Sequence, residues 1–303
     1  MLPKLEGFAA ALLGRLDQAT LTRVVDDLAA IESTIQARGD LSAVLTDTSI
    51  ASVTRGLVLG DLLREKVGPE SLRLAVYAAS AAPAQEVPHA IDELLHVART
   101  LRETSEFNHP TLGLLEARRR VGGYADAMLE ESDAAIFSSI EDDLFRWART
   151  IEANDGLRHL LLDRDAPLEA RLGLTNQLLE GKVNPVSLAL ARFTIIGGRA
   201  RDVVGTLDYL VDYVARARDW RIARVHAARA LDAASQGELV RSLSALTGKD
   251  VELQIADEPD LLGGVLVEIG DLRLDATTRG RLGSLREAVA SRQLLESTLN
   301  RID

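Results

Sequence analysis

The sequence predicts a mainly α-helical protein with a small α+β module: two tandem six-helix-type bundles, then a C-terminal α+β domain. Three observations predict it. The first two thirds hold an ungapped internal repeat. Apolar residues there recur at helical spacing in an Ala- and Leu-rich chain with only 4% aromatics. Beyond about residue 219 the spacing shifts toward two. The expected domains are a bundle over 1–105, a second bundle over 106–219 and the α+β module over 220–303.

The repeat has one constant offset. GFAAALL at 7–13 aligns with GYADAML at 123–129, VVDDLAAIESTI at 24–35 with IEDDLFRWARTI at 140–151, and LLREKVGPESLRLA at 62–75 with LLEGKVNPVSLALA at 178–191. Roughly thirty of the ninety-six positions from 7 to 102 match their partners. A match of that length without gaps implies a duplicated structural unit.

Each unit reads as helices. Ile140, Leu144, Trp147, Ala148 and Ile151 form one stripe, and Leu172, Leu174, Leu178 and Leu179 another. Pro185 suits the first turn of a helix over 186–196, and Gly197–Gly198 would end it through positive φ. A further helix over about 200–217 carries Val203, Leu207, Leu210, Val211 and Val214. The copies differ at 195–204, IIGGRARDVV, against 79–88, ASAAPAQEVP, so Arg199 has no counterpart. Residues 103–115 connect the copies, and Pro110 is expected to open the second unit's first helix.

In the last third, RIARVHAARAL (221–231) is ambiguous between helix and strand. DVELQIAD (250–257) and VLVEIG (265–270) read as strands. Ser235 and Glu238 have capping-box spacing at the start of a helix ending near Gly248. A last helix is expected from Thr277, with Leu282, Leu285, Val289 and Leu294 on one face.

Composition and motifs exclude most chemistry. There is no cysteine, hence no disulfide or thiolate site. The formal charge of −11 opposes nucleic acid and anionic membrane as partners. Arg118, Arg119 and Arg120 form a short basic run that reads as a solvated helix face. No run of 18 apolar residues occurs, so no membrane span is expected. The N-terminal stretch reads as an amphipathic helix and the compartment as cytoplasmic. Gly263–Gly264 could cradle a phosphate, but no Lys-Ser/Thr follows and the glycines precede a strand. The histidines, His89, His96, His109, His159 and His226, lack metal-ligand spacing. Asp26–Asp27 and Asp142–Asp143 recur in both copies, yet adjacent helix residues diverge by about 100°. They read as surface charge or a cap. Neither a catalytic residue nor a cofactor or metal is expected.

GYADAM, GGRARDVV and above all GGVLVEIGDLRLDATTRGRL resemble the delta subunit of bacterial ATP synthase, the oligomycin-sensitivity-conferring protein family. The family's C-terminal turn pattern falls on Gly263, Gly264, Gly270, Asp271, Asp275, Thr277 and Arg279. The duplicated helical unit resembles the actinobacterial form, which in mycobacteria continues from a membrane-anchored b-like segment. Either subunit b is a separate chain or this is the delta portion of a longer one. The resemblance implies a non-catalytic peripheral-stalk (stator) subunit at the cytoplasmic face of the membrane, joining N-terminal helices of the alpha subunits to subunit b. Carried over to the second copy, the alpha-helix groove would comprise Tyr124, Ala125, Ala127, Met128, Leu190, Phe193, Ile196 and Arg199. The subunit b face would comprise Val265, Val267, Leu282, Leu285 and Val289. A helical-repeat scaffold in an unrelated assembly is the other reading the residues allow.

Overall fold

The computed structural model describes residues 1–163, 165–219, 222–229, 231–247, 251–258, 261, 263–269, 272–275 and 277. The chain divides into two compact units, Met1–Ala215 and Arg216–Asp303.

The first unit holds both copies. Copy one comprises α1 (Pro3–Leu13), α2 (Gln18–Ala37), α3 (Gly39–Thr46), α4 (Ser52–Leu63), α5 (Pro69–Ala81) and α6 (Val87–Thr104). Copy two comprises α7 (Leu114–Glu130), α8 (Phe137–Ala153), α9 (Asp155–Leu162), α10 (Leu168–Leu179), α11 (Pro185–Ile196) and α12 (Val203–Asp219). The offset read from the sequence carries through to the helices: α3 and α9, and α4 and α10, start and stop at equivalent residues.

Local signals set most boundaries. Asp17 caps α2, accepting from the Thr20 amide, and its counterpart Asp133 accepts from the Ala135 amide. Asn184 caps α11 ahead of Pro185 at the first helical position. Three expectations are corrected. Gly197 ends α11 with φ −95°, so positive φ is not how the chain leaves that helix. Pro110 lies in the connection, and α7 begins at Leu114 behind Gly113. Helix α13 (Ala233–Thr247) of the module is capped by Asp232, whose Oδ1 accepts from the Ser235 amide at 2.7 Å. Ser235 is therefore inside the helix.

The second unit resolves the ambiguous segment as a strand. β1 (Ile222–Ala227) runs parallel to β2 (Glu252–Asp257) after the α13 crossover, and antiparallel to β3 (Val265–Ile269), which pairs with β4 (Leu272–Asp275). The sheet order is β2-β1-β3-β4. Ala223, Val225, Val267 and Ile269 line one face and pack with Leu243 of α13 and with Val251. Period-two burial in β1 follows from one covered and one open face.

Candidate partner-binding surface

The two copies meet through their first helices. A Cβ on Gly7 of α1 would lie 1.8 Å from the Arg120 carbonyl oxygen, and a Cβ on Gly123 of α7 would lie 1.8 Å from the Lys4 carbonyl oxygen. Gly7 and Gly123 are equivalent residues, and so are Lys4 and Arg120. The contact therefore has approximate two-fold symmetry, with glycine on each helix letting the other's backbone approach.

Aromatic pairs flank the crossing symmetrically. Phe8 stacks on Tyr77 of α5 at 3.7 Å between centroids, and its counterpart Tyr124 stacks on Phe193 of α11 at 3.9 Å. Polar bonds then join the copies. The Tyr77 hydroxyl donates to Asp126 Oδ2 at 2.6 Å, and Lys4 pairs with the same oxygen at 3.0 Å. Arg15 pairs with its own counterpart, Glu131, which Arg73 of α5 also reaches. Burial raises the Tyr77 phenol well above its ordinary value, and the Asp126 charge pushes it the same way.

Arg120 corrects the reading of the arginine run as a solvated face. It is 2% exposed and donates from Nε to the Gly197 carbonyl at 2.7 Å and from Nη1 to Glu6 Oε1 and the Pro110 carbonyl, both at 2.9 Å. His109 lies 3.0 Å from the same Glu6 oxygen and stacks on Phe107. Arg118 is bound side-on to Asp202; Arg119 alone of the three is exposed.

The recurrent acidic pair also has a defined role. Asp27 Oδ2 accepts from the Gly68 amide at 2.9 Å and the Ser71 hydroxyl at 2.7 Å, capping α5 from α2. Asp143 Oδ2 does the same for Asn184 and Ser187 at 2.9 and 3.0 Å, capping α11 from α8. A carboxylate at a helix N-terminus satisfies free amides and favours the helix dipole. Asp26 and Asp142 do not share this arrangement.

The expected groove residues come together, but not as an open groove. Ala125, Ala127, Leu190 and Phe193 are buried, while Tyr124, Met128 and Ile196 are half-buried and Arg199 is exposed. Ala127 belongs to the core built mainly by the first copy, and Tyr124 packs against that core. Helix α1 lies along this face of α7. The sequence signal for this was present: Arg120, Gly123 and Ala127 recur at three and four residues, a second stripe beside the one that faces the bundle's own core.

In the second unit, Val267 is 2% exposed and belongs to the core, which removes it from any contact face, while Val265 is half-buried. Gly263 and Gly264 have φ of 129° and 83° and lead the chain into β3, as their order before a strand requires. Asp275 Oδ1 accepts from the Thr277 amide at 3.0 Å and from its hydroxyl at 2.6 Å. Gly270, Asp271, Arg279, Leu282, Leu285 and Val289, and with them the expected last helix, lie outside the described residues.

The family model of the ATP synthase delta (OSCP) subunit matches residues 121–289, most of copy two and the α+β module. The chain belongs to the ATP synthase delta (OSCP) subunit family. It is similar to the ATP synthase subunit delta of Salinispora arenicola, 29% identical over 277 residues and 91% of each chain. That of Streptomyces avermitilis is 27% identical over 290 residues, 93% of this chain and 96% of the relative. That of Nocardia farcinica is 37% identical over 166 residues, 54% and 61% respectively. The Salinispora and Streptomyces alignments cover more than nine tenths of the chain and so extend into copy one. Delta is a non-catalytic subunit of the ATP synthase peripheral stalk, peripheral to the membrane-bound complex. Among the described residues no helix is long and apolar enough to cross a membrane.

Proposed function

We propose that this delta subunit ties the catalytic head to the stator at the cytoplasmic face of the membrane. It does so by holding an alpha-subunit N-terminal helix on copy two and the end of subunit b on the α+β module. The match of residues 121–289 to the family, taken with the position of copy one as a brace on α7, carries the proposal. Because α1 lies along α7, the alpha helix would engage the α11 side of the expected groove. Tyr124, Met128, Ile196 and the exposed Arg199 offer it half-exposed apolar surface and a charge. Burying three or four apolar anchors there contributes on the order of 5–10 kcal/mol gross, offset in part by ordering costs. For subunit b, Val265 together with Leu282, Leu285 and Val289 is the proposed face. Slow dissociation is what a stator requires, and an apolar contact supplies it better than rim charge.

Calorimetry of the full chain with a synthetic alpha N-terminal peptide tests the head contact. Arg199→Glu, at an exposed residue, is expected to weaken binding about tenfold (~1.4 kcal/mol) without changing the melting temperature. Equal affinity in the variant would remove Arg199 and the α11 side from the proposal.

A further inference from the structure

The seam between the two copies joins surfaces of opposite charge. From copy one, Lys4 and Arg15 of α1 and Arg73 of α5 reach across it, beside the acid Glu6. From copy two, Asp126, Glu130 and Glu131 of α7 meet them, beside the cation Arg120. Arg15 Nη1 lies 3.2 Å from Glu131 Oε2, and Arg73 Nη2 lies 2.8 Å from Glu130 Oε2. Arg73 also donates from Nη2 to the Ala127 carbonyl at 3.3 Å, with its guanidinium 5.8 Å from the centre of the Phe8 ring.

This division of charge is not a property the two copies share. Glu131 stands where copy one has Arg15, Glu130 where it has Gly14, Asp126 where it has Ala10, and Ala189 where it has Arg73. Backbone fit, by contrast, is common to both. Gly7 and Gly123 are equivalent, and a Cβ on either would meet the opposite helix at the same 1.8 Å. Steric fit alone therefore does not tell a pair of unlike copies from a pair of like ones.

Charge does tell them apart. In a two-fold contact each residue meets the equivalent of its own partner. Arg15 and Glu131 are equivalent and meet each other, so two second copies would set Glu131 against Glu131 and leave Glu130 without Arg73. Two first copies would set Arg15 against Arg15. Asp126 would face Phe193 in place of the Tyr77 hydroxyl, although Arg120 would still reach it as Lys4 does now. We infer that the seam is a charge-coded interface: the acidic α7 face of copy two selects the basic face of copy one and rejects a second copy two, so the duplicated unit closes within one chain. Partly exposed pairs of this kind add little affinity. Their weight is in discrimination, because the wrong partner meets like charge. The inference does not depend on the stalk proposal.

Charge reversal in the full chain tests it. Arg15→Glu with Arg73→Glu makes both faces acidic and is expected to lower the melting midpoint by about 4–8 °C. Glu130→Arg with Glu131→Arg makes both faces basic and should do the same. Combining all four changes in one chain opposes the signs again and restores at least half of the loss. Sodium chloride separates charge from packing, since it screens repulsion and should raise the midpoint of either reversed chain more than that of the wild type. Losses that simply add, or equal salt responses, would make these side chains packing groups and overturn the code. Refolding the two reversed chains together from urea reads the selection. Sedimentation is expected to show a one-to-one mixed dimer, in which opposite faces meet between chains, and monomers when each is refolded alone. Self-dimers of either reversed chain, or no mixed dimer, would overturn the rejection of like by like.

Discussion

Adding one methyl group to Gly7 tests how the two copies are joined. The new Cβ would sit 1.8 Å from the Arg120 carbonyl oxygen, where ordinary contact begins near 3.4 Å. Helix α1 must therefore retreat by about 1.6 Å along its closest approach. A gap of 0.5–1 Å already forfeits roughly a quarter to a half of a dispersion well, and overpacking typically costs about 1–3 kcal/mol. The retreat also strains the bond from Arg120 Nη1 to Glu6 on α1, a bond between charged groups of the kind that contributes about 1.5–3 kcal/mol. Better helix propensity returns about 0.5–1 kcal/mol. The net expectation for Gly7→Ala is a loss of about 2–4 kcal/mol. Gly123→Ala should lose about the same, because its Cβ meets the equivalent Lys4 oxygen at the same distance. Gly173→Ala, in α10 with nothing within 4 Å, is the control and should gain about 0.5–1 kcal/mol. Urea unfolding followed by helical circular dichroism reads all three. A Gly7→Ala chain as stable as the control, or sensitivity at only one of the two seam glycines, would refute the two-fold seam.

Further outcomes follow from the same bonds. Asp27→Ala and Asp143→Ala each remove a carboxylate that accepts an amide and a hydroxyl, so each should lose about 2–3 kcal/mol in urea unfolding. Asp26→Ala should change little. The Tyr77 phenol has a raised folded-state pKa, so its stabilisation is complete below pH 10 and is lost as pH rises through the folded value. Tyr77→Phe should therefore flatten the fall in melting temperature above pH 10; an unchanged alkaline limb would place that titration elsewhere. On the acid side, Glu131 is held below the usual carboxylate range by Arg73 and Arg15 against the cost of burial. Its contribution is present above pH 4.5 and lost as pH falls through the folded value, so Glu131→Gln should lessen the acid loss of stability.

The repeat was legible because duplication leaves an offset that no later packing erases. Helix existence followed from stripes such as Ile140, Leu144 and Trp147, and the strands from clean alternation at 251–255. What the residues alone did not reveal was which stripe faces which neighbour. Gly7 and Gly123 look like ordinary small residues in an Ala-rich helix, and only the opposing backbone shows why no Cβ is tolerated. For the same reason the groove that the family resemblance implied at Tyr124, Ala127 and Phe193 could not be tested on the residues, since a face that receives a foreign helix and one that receives the chain's own α1 carry the same apolar pattern. Arg120 read as solvated because its acceptors come from positions 6, 110 and 197, far apart in sequence. Asp27 and Asp143 were visible as recurrent, but their partners lie more than forty residues away. Gly263–Gly264 was the clearer case: the missing Lys-Ser/Thr and the order before a strand together told a turn from a phosphate loop.

The central claim is that this chain joins the head of ATP synthase to its stator through an alpha-subunit helix. The most direct measurement is titration of the purified chain into isolated catalytic heads with and without the alpha N-terminal segment, followed by calorimetry. Saturable binding of one chain per head, abolished when the segment is removed, is the predicted result. Binding that persists without the segment, or no binding to intact heads, would contradict it.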